Sequence, residues 1–181
     1  MLILKILGGR SVAARVEALW NRISQWYSVL QPPDQFTHLS VASFCDASKP
    51  FAHYPKLKSK GSDINGHVQP CGRVWSELSD VSNPDHMLID IGFQQLIRVQ
   101  SIINEYAKDL FVPPPDVLIM QYIVREFLRV YTELGHSADR QKLNLFNITY
   151  KFNVLFQFAE RAQYLSLAVE FASQTRIMLA R

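Results

Sequence analysis

Apolar residues recur at helical spacing along most of the chain, and the breaks between those runs outline about five helices. The first run is Val12, Val16, Leu19, Trp20, Ile23, Tyr27 and Leu30, spaced to share one face. Ser11 suits its N-cap, because a hydroxyl oxygen there accepts from an unpaired N–H of the first turn. Pro32 and Pro33 stop this helix, since neither has an N–H to donate and each restricts the residue before it.

Residues 31–70 hold no period. They contain Pro32, Pro33, Pro50, Pro55 and Pro70 with Gly61 and Gly66, and apolar positions are sparse. The expectation is a long Pro/Gly-containing loop, irregular or partly disordered. A loop of such length is uncommon inside a compact domain and points to function or to disorder. A short helix is expected from about Gly72, with Val74, Leu78 and Val81 on one face.

Asn83-Pro84-Asp85 marks a helix start: a capping amide, a proline at the first position and an acid at the positive end of the dipole. Ile89, Phe93, Leu96, Ile97, Ile103 and Tyr106 carry this helix to about Phe111. After the prolines at 113–115, a further helix is expected over Pro115–Leu134. Its stripe is Ile119, Ile123, Phe127, Val130, Tyr131 and Leu134, with Gly135 as the left-handed residue beyond its end. The short connection predicts that these two helices lie antiparallel.

Ser137 is an N-cap candidate for the last element. Residues 147–158 fit two periods. Ile148, Tyr150, Phe152, Val154, Phe156 and Phe158 alternate as in a strand. Ile148, Phe152, Leu155, Phe156, Ala159 and Ala162 suit a helix that continues through Tyr164, Leu165, Ala168 and Phe171. Helix is preferred, because a lone strand would have no pairing partner. The aromatic run Tyr150, Phe152, Phe156, Phe158, Tyr164 and Phe171 reads as core, and any apolar surplus on a second face would need a partner to cover it. The expected fold is an all-α irregular bundle in a single domain, 1–181. Its hairpin Pro84–Leu134 is expected to pack against the first and last helices.

The composition, 48% hydrophobic and 19% charged over 181 residues, lets such a chain build a core without disulfides or metal. Cys45 and Cys71 are too few for a disulfide scaffold and read as reduced thiols. The run Met1-Leu2-Ile3-Leu4 is broken by Lys5 and is too short for a secretory signal. No window approaches the ~20 apolar residues that cross a bilayer. The chain therefore reads as intracellular, where Asn147-Ile148-Thr149 has no role as a glycosylation acceptor. A net charge of +3 does not by itself demand a nucleic-acid or membrane partner. It is unevenly placed: residues 1–30 and 137–181 each carry +3, and residues 81–136 carry −3.

Three constellations are candidates for chemistry. Lys49, Lys56, Lys58 and Lys60, interleaved with Phe51, His53 and Tyr54, could neutralise phosphates and stack bases; the plainer reading is a solvated loop. His67-x-x-x-Cys71 has the spacing of half a zinc site. His38, Cys45 and His53 lie nearby in sequence but supply no second tight pair. His86 and Asp90 share a helix face and suit either a local ion pair or two ligands of one metal. No nucleophile elbow, His-Glu-x-x-His, phosphate loop or dinucleotide fingerprint occurs. Hence no catalytic, cofactor-binding or metal-ligating residue is assigned.

Phe146-Asn147-Ile148-Thr149-Tyr150-Lys151-Phe152, followed by Ala159-Glu160-Arg161-Ala162-Gln163-Tyr164-Leu165, resembles the C-terminal parts of a group of uncharacterised multicopy protist proteins. Lys56-x-Lys58-x-Lys60 and His67-Val68 resemble the same group. The resemblance implies a mobile-element origin and carries no activity with it. That group usually has histidines after the lysine, where Asn153 and Gln157 stand here, which implies a decayed or truncated copy.

The functional expectation is a non-catalytic helical protein–protein interaction module without cofactor or membrane attachment. It would use apolar helix faces toward a protein partner or a second copy. The alternative is a nucleic-acid-associated domain or mobile-element remnant using the basic loop Lys49–Lys60. An enzyme with a metal at His67/Cys71 or His86/Asp90 ranks third.

Overall fold

Local signals set several of the helix ends in the computed structural model, which describes residues 6–7, 9–44, 61–109, 111–143, 146 and 151–161. Among these residues the elements with defined bounds are five α-helices and one 3-10 turn, and there is no strand. Helix α1 spans Val12–Leu30, α2 Gly61–Leu78, α3 Pro84–Glu105, α4 Pro114–Arg140 and α5 Lys151–Arg161; the 3-10 turn is Val41–Ser43. The chain is all-α, as its periodicity predicts.

Helix α1 has the bounds its sequence announces. Ser11 Oγ accepts from Ala14 N–H at 3.1 Å, and Gln31 closes the helix in the left-handed region at φ 46° ahead of the two prolines. Helix α3 starts as expected, with Asn83 Oδ1 accepting from Asp85 and His86 N–H at 3.0 and 3.4 Å. Asn83→Ala leaves both donors without that oxygen. It should cost about 1 kcal/mol, read as a lower urea midpoint at unchanged slope.

Other boundaries differ from the pattern. Helix α2 begins at Gly61, inside the stretch read as loop, and runs through Pro70. Pro70 cannot donate to the Gly66 carbonyl, a defect that costs a helix interior about 3 kcal/mol. Burial offsets it: Val74 and Trp75 of α2 are both fully enclosed. Val81, expected on the same face, lies beyond the end of α2 and is 81% exposed. Helix α3 ends at Glu105 rather than near Phe111. Helix α4 continues past Gly135 to Arg140, because Leu134 and Ala138 on either side of the glycine are buried. Ser137 caps nothing; it lies within α4 and its Oγ donates to Asp85 Oδ2 at 2.9 Å. The choice of helix over strand holds at Lys151–Arg161, while its continuation through Phe171 lies outside the described residues.

Residues 31–44 are packed against α1 and α2 rather than free. Leu39 is fully buried, and the Phe36 ring lies 4.7 Å from that of His67. The carbonyl of Asp34 reaches the backbone of α2 at Gly66, where a β-carbon would stand 1.8 Å from its oxygen.

Each helix packs on its neighbours in sequence: α1 on α2, α2 on α3, α3 on α4 and α4 on α5, with α3–α4 the most extensive interface. The expectation that α1 lies on the α3–α4 hairpin is corrected, because α2 occupies that place. Contacts at both ends show that α3 and α4 run antiparallel. Asp85 at the start of α3 meets Ser137, and Tyr106 just past its end donates to Asp116 Oδ2 at 2.7 Å. The Asp116 carboxylate, by that bond, pushes the Tyr106 phenol up to about 12. Two apolar clusters result. One joins α1, residues 36–44 and α2 around Ile23, Leu39 and Val74; the other joins α3, α4 and α5 around Ile103, Met120, Ile123 and Phe158. No described helix is long and apolar enough to cross a membrane.

Candidate functional site

His67 belongs to the first core. Its Nδ1 lies 2.7 Å from Tyr27 Oη, and that same oxygen accepts from Phe36 N–H at 3.4 Å. The Tyr27 hydroxyl donates to Nδ1 or accepts from it according to the ring's tautomer, since a phenol oxygen that takes one N–H keeps a second lone pair. Burial holds the imidazole down at about 4, so it is neutral at pH 7. This bond joins α1 to α2 across forty residues of sequence.

Cys71, one turn on, packs against the same cluster. Burial pushes its thiol up to about 12, the opposite of what a thiolate ligand or nucleophile needs. The half-site spacing of His67 and Cys71 thus places both residues on the packed side of α2. His38 is elsewhere, its ring edge-on to Trp20 at 6.0 Å, and Cys45 and His53 lie outside the described residues.

His86 and Asp90 share a face but have different partners. His86 Nδ1 accepts from Asp80 N–H at 3.0 Å, and Asp90 accepts from Ser76 Oγ at 2.8 Å. Trp75 Nε1 donates to the His86 carbonyl at 3.2 Å. These bonds fasten α2 to α3 across the turn at 79–83. Among the described residues no group of three or more His, Cys, Asp or Glu side chains is placed to hold a metal ion. Lys49, Lys56, Lys58 and Lys60 lie outside the described residues, as do Cys45 and much of the stretch resembling the protist group.

The feature that stands out lies on α4. Leu118 and Tyr122, one turn apart, are 66% and 64% exposed, and Ile119 beside them is 45% exposed. Phe111, just before the helix, is 59% exposed. Ile119 therefore does not belong to the buried stripe in which its spacing placed it. The stripe that is buried runs through Val117, Met120, Ile123, Val124, Val130 and Leu134. The second half of the same outer face is charged. Arg129 is held between Glu126 and Glu133, with Glu126 bound at 2.8 Å, and both carboxylates raise its guanidinium pKa further. Arg125 bridges to Glu160 at 2.8 Å and lies over the Phe156 ring at 5.5 Å. Leu118 and Tyr122 are apolar positions left over once the stripe is drawn, and that surplus is the signal in the sequence for this face.

Comparison of the chain with protein-family models, with curated proteins and with solved structures gives no match in any of the three.

Proposed function

We propose that the chain is a non-catalytic helical interaction module that docks a partner protein through the outer face of α4. The observation that carries this reading is the exposure of Leu118, Ile119 and Tyr122 together on one helical surface. Large apolar side chains grouped on a surface are unusual for a monomer and common at the centres of interfaces. Arg125 and the Glu126–Arg129–Glu133 network border the patch as a polar rim does, and tyrosine and arginine are the residue types that anchor such contacts. The assignment as non-catalytic rests on the sequence, which lacks the common nucleophile, metal and phosphate-binding motifs.

A photo-crosslinking amino acid at Tyr122, in the cells that naturally make the protein, tests this reading. A discrete protein adduct is expected from position 122 and none from the exposed Gln94 on α3. Leu118→Glu should abolish the adduct while changing stability by no more than about 0.5 kcal/mol, because the side chain packs on little in the free protein. No adduct, or an equal smear from both positions, would remove the basis for a docking face.

A further inference from the structure

The first half of α3 and the second half of α4 do not close on each other completely. They leave a shallow recess of about 170 Å³, more open than enclosed. Ile89, Phe93 and Leu96 line it from α3, and Phe127, Tyr131 and Leu134 line it from α4. Phe146 stands at its edge, with its ring perpendicular to Tyr131 at 5.2 Å. The walls are almost wholly apolar, so water inside would find few partners.

Gly92 forms part of the wall. A glycine within a helix costs about 1 kcal/mol relative to alanine. Neither usual reason for keeping one applies here. Its φ is not positive, and a β-carbon would meet only Val130 Cγ1, at an ordinary 3.8 Å. What the missing side chain does provide is room in the recess.

We propose that this recess is a binding site for one small, uncharged, apolar molecule the size of a single ring or a short aliphatic chain. The volume sets the size: an enclosed apolar cavity of roughly 150 Å³ accepts benzene, and this open recess has room for a ligand of that size. The lining sets the class, because the walls offer a charged or polar group no partner and only apolar surface gains by entering. The site faces α3, on a different side of α4 from Leu118 and Tyr122, and does not depend on the docking reading.

Benzene is the probe, benzoate its charged control, and the readout is the methyl NMR signals of Ile89, Leu96, Val130 and Leu134. Benzene should shift these signals along a saturating curve, with a dissociation constant on the order of 1 mM. Benzoate, which enters only with its carboxylate left at the open side, should shift them less and bind more weakly. Gly92→Leu should abolish the shifts, and Gly92→Ala, which the backbone accommodates, should weaken binding several-fold. The proposal fails if benzene moves no methyl signal at this site. It fails equally if binding in Gly92→Ala is as tight as in the natural chain.

Discussion

Taking the protein from pH 7 to pH 4 is expected to cost it on the order of 3 kcal/mol of stability through His67 alone. In the folded chain the imidazole titrates at about 4, because the α1–α2 core keeps its charged form from water; in the unfolded chain it titrates near 6.5. Protons therefore bind the unfolded state more tightly between those values. Stability is at its full value above 6.5, falls as the pH drops, and levels off below about 4. Protonation makes Nδ1 a donor, so the Tyr27 hydroxyl must then accept from a ring whose charge is buried in the α1–α2 core. Urea unfolding at pH 7, 6, 5 and 4 measures the effect, and about 2 kcal/mol should already be gone at pH 5. That upper window isolates the histidine. Asp80, which is exposed, and Glu126, which is half-buried, are held below their ordinary range by Ser82 and Arg129, so they take up protons later. His67→Gln offers Tyr27 an amide oxygen that does not titrate, and it should flatten the curve between pH 7 and 5. An unchanged slope in that variant would refute the assignment.

Gly66→Ala should destabilise the protein by about 3 kcal/mol, against the helix propensity that favours alanine. The β-carbon would stand 1.8 Å from the Asp34 carbonyl oxygen and 3.0 Å from its carbon, and both atoms are backbone. No rotamer relieves that contact; residues 32–36 must lift off α2, which disturbs Phe36 and its contact with His67. Gly92→Ala is the natural comparison, since its β-carbon meets only ordinary contact. The two substitutions are chemically identical and both lie in helices, yet their changes in unfolding free energy should have opposite signs. Equal effects would mean that Asp34 does not approach Gly66 in the native state.

The elements that were legible in the sequence are those decided within a turn or two of chain. Ser11 and the two prolines fix α1, and Asn83-Pro84 fixes the start of α3, because a cap or a missing N–H acts on its immediate neighbours. Helix α2 was not legible over its first half. Gly61, Gly66 and Pro70 are local breakers, and what overrides them comes from elsewhere: Asp34 against Gly66, Tyr27 against His67, and burial of Val74 and Trp75. Gly135 misled for the same reason, since its flanking residues are held by packing against α3 and by Asp85. The candidate site divides the same way. The spacings His67/Cys71 and His86/Asp90 correctly put residues on common helix faces. Their roles are set by Tyr27, Asp80 and Ser76, which no local pattern connects to them. The α4 face was only half visible, because periodicity finds the stripe that is buried and says little about apolar residues outside it.

Packing confined to sequence neighbours also governs how the chain can assemble. Among the described residues the main helix–helix interfaces join consecutive elements, and three of the four closures span connections of ten residues or fewer; the α1–α2 closure spans the longer stretch 31–60. The α3–α4 hairpin, with the largest interface, is the natural nucleus, and α2 and α5 can each add to it without waiting for the other. The apolar clusters at the two ends share no residue. Amide exchange should therefore resolve two cooperative units, with the α1–α2 end and the α3–α5 end opening at different free energies. The Trp75–His86 and Ser76–Asp90 bonds form the seam at which they part.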